Sequence, residues 1–318
     1  MPHWKTLLTY DGTPYNGWQI QPNLPTIQGT LAQAIHRVTG ESVLPQGSGR
    51  TDTGVHALGQ VATFTLTVPI PAANLHRALN RALPSSIRIL TVESVPEDFH
   101  ARHSARRKTY EYRILPGDQI CSPMLAPFVW ACRYPLNIAH LQQAATHILG
   151  THDFTSFAAS DPDLTTRTAA ITHIESNAPS SLTRANDRTS ALDRANKTVL
   201  STEGGASAAA VESLPHLASD RATPFMADPE FTPNQDKAIP TDNSRTIYHS
   251  NWHQHEDLLI YRITGSGFLH HMVRNLIGTF VDPAYKPDAT PTILAARNRS
   301  AAGPTAPARG LFLVEVEY

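Results

Sequence analysis

Gly47-Ser48-Gly49-Arg50-Thr51-Asp52-Thr53-Gly54-Val55-His56-Ala57 lies between two strand-like runs, Glu41 to Pro45 and Gln60 to Thr67. Three glycines, two threonines, a serine and three ionisable side chains in that interval mark a loop. Glycines at 47, 49 and 54 open backbone conformations closed to other residues and let a bulky ligand approach the chain. Arg50 and Asp52 are near enough for a guanidinium to hold a carboxylate, which would keep Asp52 ionised. A glycine-rich hairpin turn with a surface ion pair fits the same residues. A phosphate-cradling P-loop does not, because no Gly-Lys-Ser or Gly-Lys-Thr follows.

Outward from this loop, Trp4 to Tyr10 reads as a strand ended by Asp11-Gly12. Pro25-Thr26 precedes a helical pattern with Leu31, Ala34, Ile35 and Val38 on one face and Gly40 as its stop. A second helix is expected over Ala72 to Leu83, between Pro71 and Pro84, and a strand over Ile87 to Val95. With the strands flanking the loop, this half runs βαββαβ, the ferredoxin-like order. The remainder repeats the plan: strands Lys108 to Leu115 and near Phe128 to Tyr134, helix Ile138 to Leu149, a hairpin ending in Leu258 to Thr264, helix Gly267 to Phe280, and strand Leu311 to Glu317. Leu269, Met272, Val273, Leu276 and Ile277 fall on one face of that last helix, and Arg274 falls away from it. The expectation is an α+β fold of two fused ferredoxin-like (βαββαβ) halves, residues 1–104 and 105–318.

One interval breaks the pattern. Residues 175–243 are rich in Ser, Thr, Ala, Asn, Asp and Pro, lack sustained periodicity, and hold Phe225 and Phe231 as their aromatics. Such composition cannot bury enough apolar surface to offset an ordering entropy of about 1–2 kcal/mol per residue. It is expected to be a disordered insertion, beginning as early as Asp161.

Charge at first argues against a nucleic-acid partner, since the net formal value is -1. Distribution says more than the sum. From Glu175 to Arg245 there are 7 Lys/Arg against 10 Asp/Glu, which leaves 19 against 17 of the chain's 26 and 27 elsewhere. There Arg102, Arg106, Arg107, Lys108 and Arg113 form a basic run beside Tyr110 and Tyr112. Basic groups interleaved with aromatics suit unstacked RNA bases; a solvated strand edge has the same composition. No apolar run approaches the roughly 20 residues of a membrane span. The opening residues read as neither signal nor transit peptide, and Cys121 and Cys132 are too few for a disulfide framework, so a reducing cytoplasm is the expected compartment.

The 16 histidines raise the question of a metal. On the expected helix His270 and His271 would point about 100° apart, poorly placed to share an ion. His152-Asp153 is reminiscent of a metal-dependent phosphohydrolase, but no further ligand stands at a recognisable spacing. No metal site and no cofactor is expected.

Residues 49–57 resemble the signature of the tRNA pseudouridine synthase A (TruA) family. Other landmarks follow in family order: Tyr10-Asp11-Gly12-Thr13-Pro14-Tyr15-Asn16-Gly17-Trp18-Gln19, Thr26-Ile27-Gln28-Gly29, Ala105-Arg106-Arg107-Lys108-Thr109-Tyr110, Gly150-Thr151-His152-Asp153-Phe154, Gly265 to Asn275, and Thr305-Ala306-Pro307 before Gly310-Leu311. The resemblance implies a pseudouridine-synthase fold with a central cleft, a homodimer, and conversion of uridine to pseudouridine in the anticodon arm of tRNA, at tRNA positions 38 to 40. It implies Asp52 as the catalytic residue, with Arg50 orienting it. Tyr110 and Arg274 would lie against the target uridine, and Arg102, Arg106, Arg107 and Lys108 against RNA. Val281-Asp282-Pro283-Ala284-Tyr285 departs from the family, because the glycine-containing turn after the last long helix is missing. A non-catalytic RNA-binding protein on the same fold is the alternative, though binding alone does not require a carboxylate beside phosphates.

Overall fold

Hydrophobic alternation in the first strand and in its partners builds the molecule around a single sheet. The computed structural model describes residues 1–159 and 243–318; the expected insertion, Asn243 apart, lies outside the described residues. The strands are β1 (His3–Tyr10), β2 (Gln46–Gly47), β3 (His56–Thr65), β4 (Ile87–Val95), β5 (Arg107–Pro116), β6 (Trp130–Cys132), β7 (Gly150–Asp153), β8 (Ser244–His255), β9 (Leu258–Gly265) and β10 (Leu311–Glu317). Among the described residues the helices are α1 (Ile27–Thr39), α2 (Ala72–Ala82), α3 (Ile138–Thr146), α4 (Met272–Val281) and α5 (Thr290–Ala296). The result is a mixed α/β protein with a ten-stranded, mostly antiparallel sheet in the order β4-β1-β3-β10-β5-β9-β8-β7. β2 adds to β3 and β6 to β5.

Local sequence explains most boundaries. Thr26 caps α1 by accepting from the Gly29 N–H, and Gly40 ends it in a left-handed conformation, φ 77°. β1 buries every second residue, Trp4, Thr6, Leu8 and Tyr10, toward the helices. The two halves of the chain meet where β10 runs parallel to β3, pairing Phe312 with His56 and Leu313 with Ala57. The signature's last two residues are therefore part of the sheet, and β3 starts four residues before the expected Gln60.

Four expectations shift. Glu41 to Pro45 is irregular, and only Gln46–Gly47 pairs as β2. Glu41 instead turns its carboxylate to the N–H groups of Thr67 (2.9 Å) and Val68 (2.7 Å) beyond the end of β3. The strand near Phe128 to Tyr134 shrinks to Trp130–Cys132, Phe128 being in a short 3-10 turn. α3 stops at Thr146 because the chain must reach Gly150, φ 92°, and enter β7. Finally, α4 begins at Met272 rather than Gly267. The Gly265-Ser266-Gly267 segment extends the strand exit, and His271, φ 58°, takes a left-handed conformation that no helix interior tolerates. The atypical stretch after α4 turns on Asp282, whose side chain accepts from the Ala284 N–H before α5.

Candidate active site

The loop carrying Asp52 is pinned from beneath. The Trp18 N–H donates to the Thr51 carbonyl at 2.9 Å, and the Val55 N–H closes a turn on the Asp52 carbonyl at 3.0 Å. Glycines make that approach possible: a β-carbon on Gly12 would stand 2.0 Å from the Val55 carbonyl oxygen, and one on Gly17 2.5 Å from that of Thr51. Gln60, fully buried, donates to the Gly49 carbonyl and accepts from the Ser48 hydroxyl. The Thr51 hydroxyl meets that of Tyr10 at 2.9 Å, and burial pushes the Tyr10 phenol up to about 12. His56 locks the end of the loop, stacked on Phe312 with ring centroids 4.7 Å apart. Its Nε2 faces the Pro127 carbonyl and its Nδ1 the Gly12 N–H, and burial holds its pKa below the usual value.

From this platform the Asp52 carboxylate projects, partly shielded, toward the second half of the chain. Arg274, in the first turn of α4, donates from a terminal nitrogen to Asp52 Oδ2 at 2.8 Å and from Nε to the Ala306 carbonyl at 2.8 Å. His271 Nε2 lies 3.2 Å from Oδ2 and His270 Nε2 3.6 Å from Oδ1. The guanidinium on Asp52 thus comes from Arg274, 222 residues away, where the loop's own Arg50 was expected; Arg50 is exposed on the loop. A charge-assisted bond of this kind is about twice as strong as one between neutral groups.

Tyr110 lies below, on β5, with 8% of its surface exposed. Its ring meets the edge of Phe268 at 5.0 Å, and a β-carbon on Gly49 would be 3.9 Å from its hydroxyl. That hydroxyl has no hydrogen-bond partner among the described residues, and burial, with Tyr10 and Asp52 adding to it, raises its pKa so that the phenol stays neutral. Of the basic run, Arg102, Arg106 and Arg107 are exposed, Arg107 lying over the Tyr248 ring at 4.7 Å. Lys108 is different: it is part-buried, its Nζ donates to the Ser48 carbonyl, and desolvation, helped by Arg102 and Arg245, brings its pKa down to about 8. It ties β5 to the loop.

The reading of His270 and His271 as helix residues pointing apart does not hold. They lie in the turn before α4 with ring centroids 3.9 Å apart, both facing Asp52. The Gly265-Ser266-Gly267 sequence before them was the available signal that no helix starts there. The ligating atoms of Asp52, His270 and His271 lie within 4.8 Å of one another. Arg274 nevertheless donates to Oδ2, placing a positive charge where a dication would sit, which argues against these three as a ligand set. His152 and Asp153 make no hydrolase site either: His152 Nε2 meets the Leu149 carbonyl, and Asp153 caps Thr155 and pairs with Arg297.

Among the described residues the site holds one carboxylate on a glycine-shaped loop, bonded to a guanidinium and near a buried tyrosine, and no second acid of the kind glycoside hydrolysis uses. A family profile described as tRNA pseudouridine synthase matches residues 7–104 and 228–318. A tRNA pseudouridine synthase A of Solibacter usitatus is 39% identical over 311 residues, covering 98% of this chain and 97% of that protein. The protein of the same name from Moorella thermoacetica is 33% identical over 323 residues, covering both chains completely. This chain belongs to the tRNA pseudouridine synthase family.

Proposed function

We propose that this chain isomerises uridine to pseudouridine in tRNA, with Asp52 as its single catalytic carboxylate. The supporting observation is that carboxylate, held by Arg274 at 2.8 Å over Tyr110, in a chain whose relatives are named for this reaction. The isomerisation breaks the bond from ribose C1′ to N1, turns the base and joins C1′ to C5; C5 loses a proton and N1 gains one. Water and electrons are neither consumed nor released, so the balance of the reaction calls for no cofactor. One ionised carboxylate, able to attack carbon or take up a proton, is sufficient equipment.

Lifting the base from its stack costs a few kcal/mol, and an aromatic platform returns about 1–3 kcal/mol per stacked base. Tyr110 is the candidate platform, its hydroxyl available to the nucleotide. Arg50, exposed on the loop, would meet the phosphate flanking the target. Arg102, Arg106 and Arg107 would carry the electrostatic attraction to the anticodon arm. The halves 1–104 and 105–318 act in this reading as two ferredoxin-like units flanking a central cleft, and the working form is a cytoplasmic homodimer.

Mapping pseudouridine in unmodified tRNA incubated with the purified protein tests the proposal. Conversion by the wild type and none by Asp52→Asn is the expected result. Turnover that vanishes with a chelator and returns with zinc or magnesium, on tRNA whose fold is kept intact, would overturn the single-carboxylate chemistry.

A further inference from the structure

His270 and His271 have no part in the function as stated so far, yet four observations converge on them. Their Nε2 atoms stand 3.6 and 3.2 Å from the two oxygens of Asp52. Their rings lie against each other, centroids 3.9 Å apart and planes tilted by 32°. His271 sits at φ 58°, ψ 4°, a left-handed conformation that disfavours residues with a β-carbon and is held by the surrounding chain. Here the Asn275 N–H donates to the His271 carbonyl and the Ala159 N–H to that of His270. The turn thus keeps a strained backbone that aims an imidazole at the carboxylate.

Charge decides the form of these rings. Asp52 and Arg274 already neutralise each other. Asp52 is faced by Arg274 from α4, by both histidines from the turn and by neutral Tyr110 from β5, with Lys108 as the next cation on that strand. His271 faces Asp52, His270, Arg274 and Arg299, and burial outweighs the attraction of Asp52 in holding its pKa down. A proton on His271 would add a positive charge beside Arg274, which with burial favours the neutral ring. A neutral imidazole N–H can still donate to a carboxylate oxygen.

We propose that His271, beside His270, is a positioning residue that holds Asp52 in its reactive orientation through the close approach of its neutral Nε2 to Oδ2. Protonation of His271 converts the contact to an imidazolium–carboxylate ion pair. Asp52 then becomes a weaker base and nucleophile, which sets the acid limb of activity. The inference rests on the reading of Asp52 as the catalytic carboxylate.

The test is single-turnover pseudouridine formation in unmodified tRNA from about pH 5 to about pH 9, with equilibrium tRNA binding measured in parallel, for wild type, His271→Ala, His271→Asn and His270→Gln/His271→Asn. Asparagine accepts the left-handed backbone and keeps an N–H donor without titrating near neutrality. His271→Ala is expected to slow turnover at least about tenfold, as for a lost polar partner of a charged group, with tRNA affinity unchanged. His271→Asn should recover part of that loss, and the double variant should lose the acid limb. Turnover by His271→Ala equal to wild type, or a double variant that keeps the wild-type acid limb, would overturn the inference. If Asp52→Asn is inactive while the histidine variants match wild type, only this inference fails; if Asp52→Asn is active, the reading of Asp52 fails with it.

Discussion

The loop at residues 48–55 and the turn at 266–271 reach one carboxylate from opposite halves of the chain, and they are built differently. The loop gets its shape from backbone contacts: Gly12 and Gly17 let the segment after β1 touch it, and Trp18, Gln60 and Lys108 bond its carbonyls. Its side chains can serve the site because its backbone is already satisfied. The turn is shaped by packing against β8 and α4, through the Ser266 N–H on the Thr246 carbonyl and the Met272 N–H on that of Leu269. It tolerates a left-handed histidine to deliver rings rather than to save energy. One region presents the carboxylate, and the other brings two imidazoles close to it.

The sharpest way to break this division of labour is Asp52→Asn, which preserves size and most hydrogen bonding while removing the charge. Turnover should fall by about 10²–10⁴-fold or more, with tRNA affinity equal or improved because repulsion from phosphates is relieved. Appreciable turnover in a single-turnover assay would take Asp52 out of the chemistry. Next comes Arg274→Ala. It leaves a part-buried carboxylate without its cation, at about 1–3 kcal/mol, and should slow turnover about tenfold to a hundredfold, more than Arg50→Ala. The reverse ranking would return the orienting role to Arg50.

Within the loop, Gly12→Ala must push the Val55 carbonyl aside and should destabilise by about 1–3 kcal/mol in chemical denaturation. Gly54→Ala meets only the Ala308 β-carbon at 3.6 Å and bears chiefly the strain of φ 77°, about 1 kcal/mol. Equal effects would show that close approach does not shape the loop. Neutralising Arg106 and Arg107 together should flatten the salt dependence of tRNA binding by about 0.7–0.9 for each phosphate that is no longer neutralised. Lys108→Met should leave that slope nearly unchanged, since the ammonium is bonded to Ser48; an equal slope change would place Lys108 on RNA.

The smallest effect is on stability against pH. His56 has a folded pKa below its unfolded value, so the unfolded chain binds the extra proton first. Its contribution is fully present above about pH 6.5 and declines as pH falls below that value. Thermal unfolding at two pH values should show this loss in the wild type and a smaller one in His56→Gln.

Much of the architecture was legible from short-range signals. The bounds of β4 and β10 coincide with the expected strands, and α1 lies between the expected Thr26 and Gly40. Proline, glycine and capping residues act over a few positions, and alternation declares which face of a strand is buried. The signature announced Asp52 for the same reason, since loop glycines and the carboxylate are neighbours in sequence. Where local preference met packing, the reading failed. The apolar stripe at Leu269 continued the helical period, but the chain turns there and α4 starts at Met272. Lys108 belonged to a basic run by composition, but register on β5 turns it under the loop.

What the sequence alone determined is the family, the bounds of elements with local signals such as α1, β4 and β10, and the loop that carries the Asp52 carboxylate. What tertiary structure decided is who holds that charge. Arg50 is two residues from Asp52 and looked like its partner; Arg274 is 222 residues away and is the one bonded to it. That pairing exists because β10 joins β3 and brings the start of α4 over the loop. An ion pair depends on distance in space, and separation along the chain does not encode it.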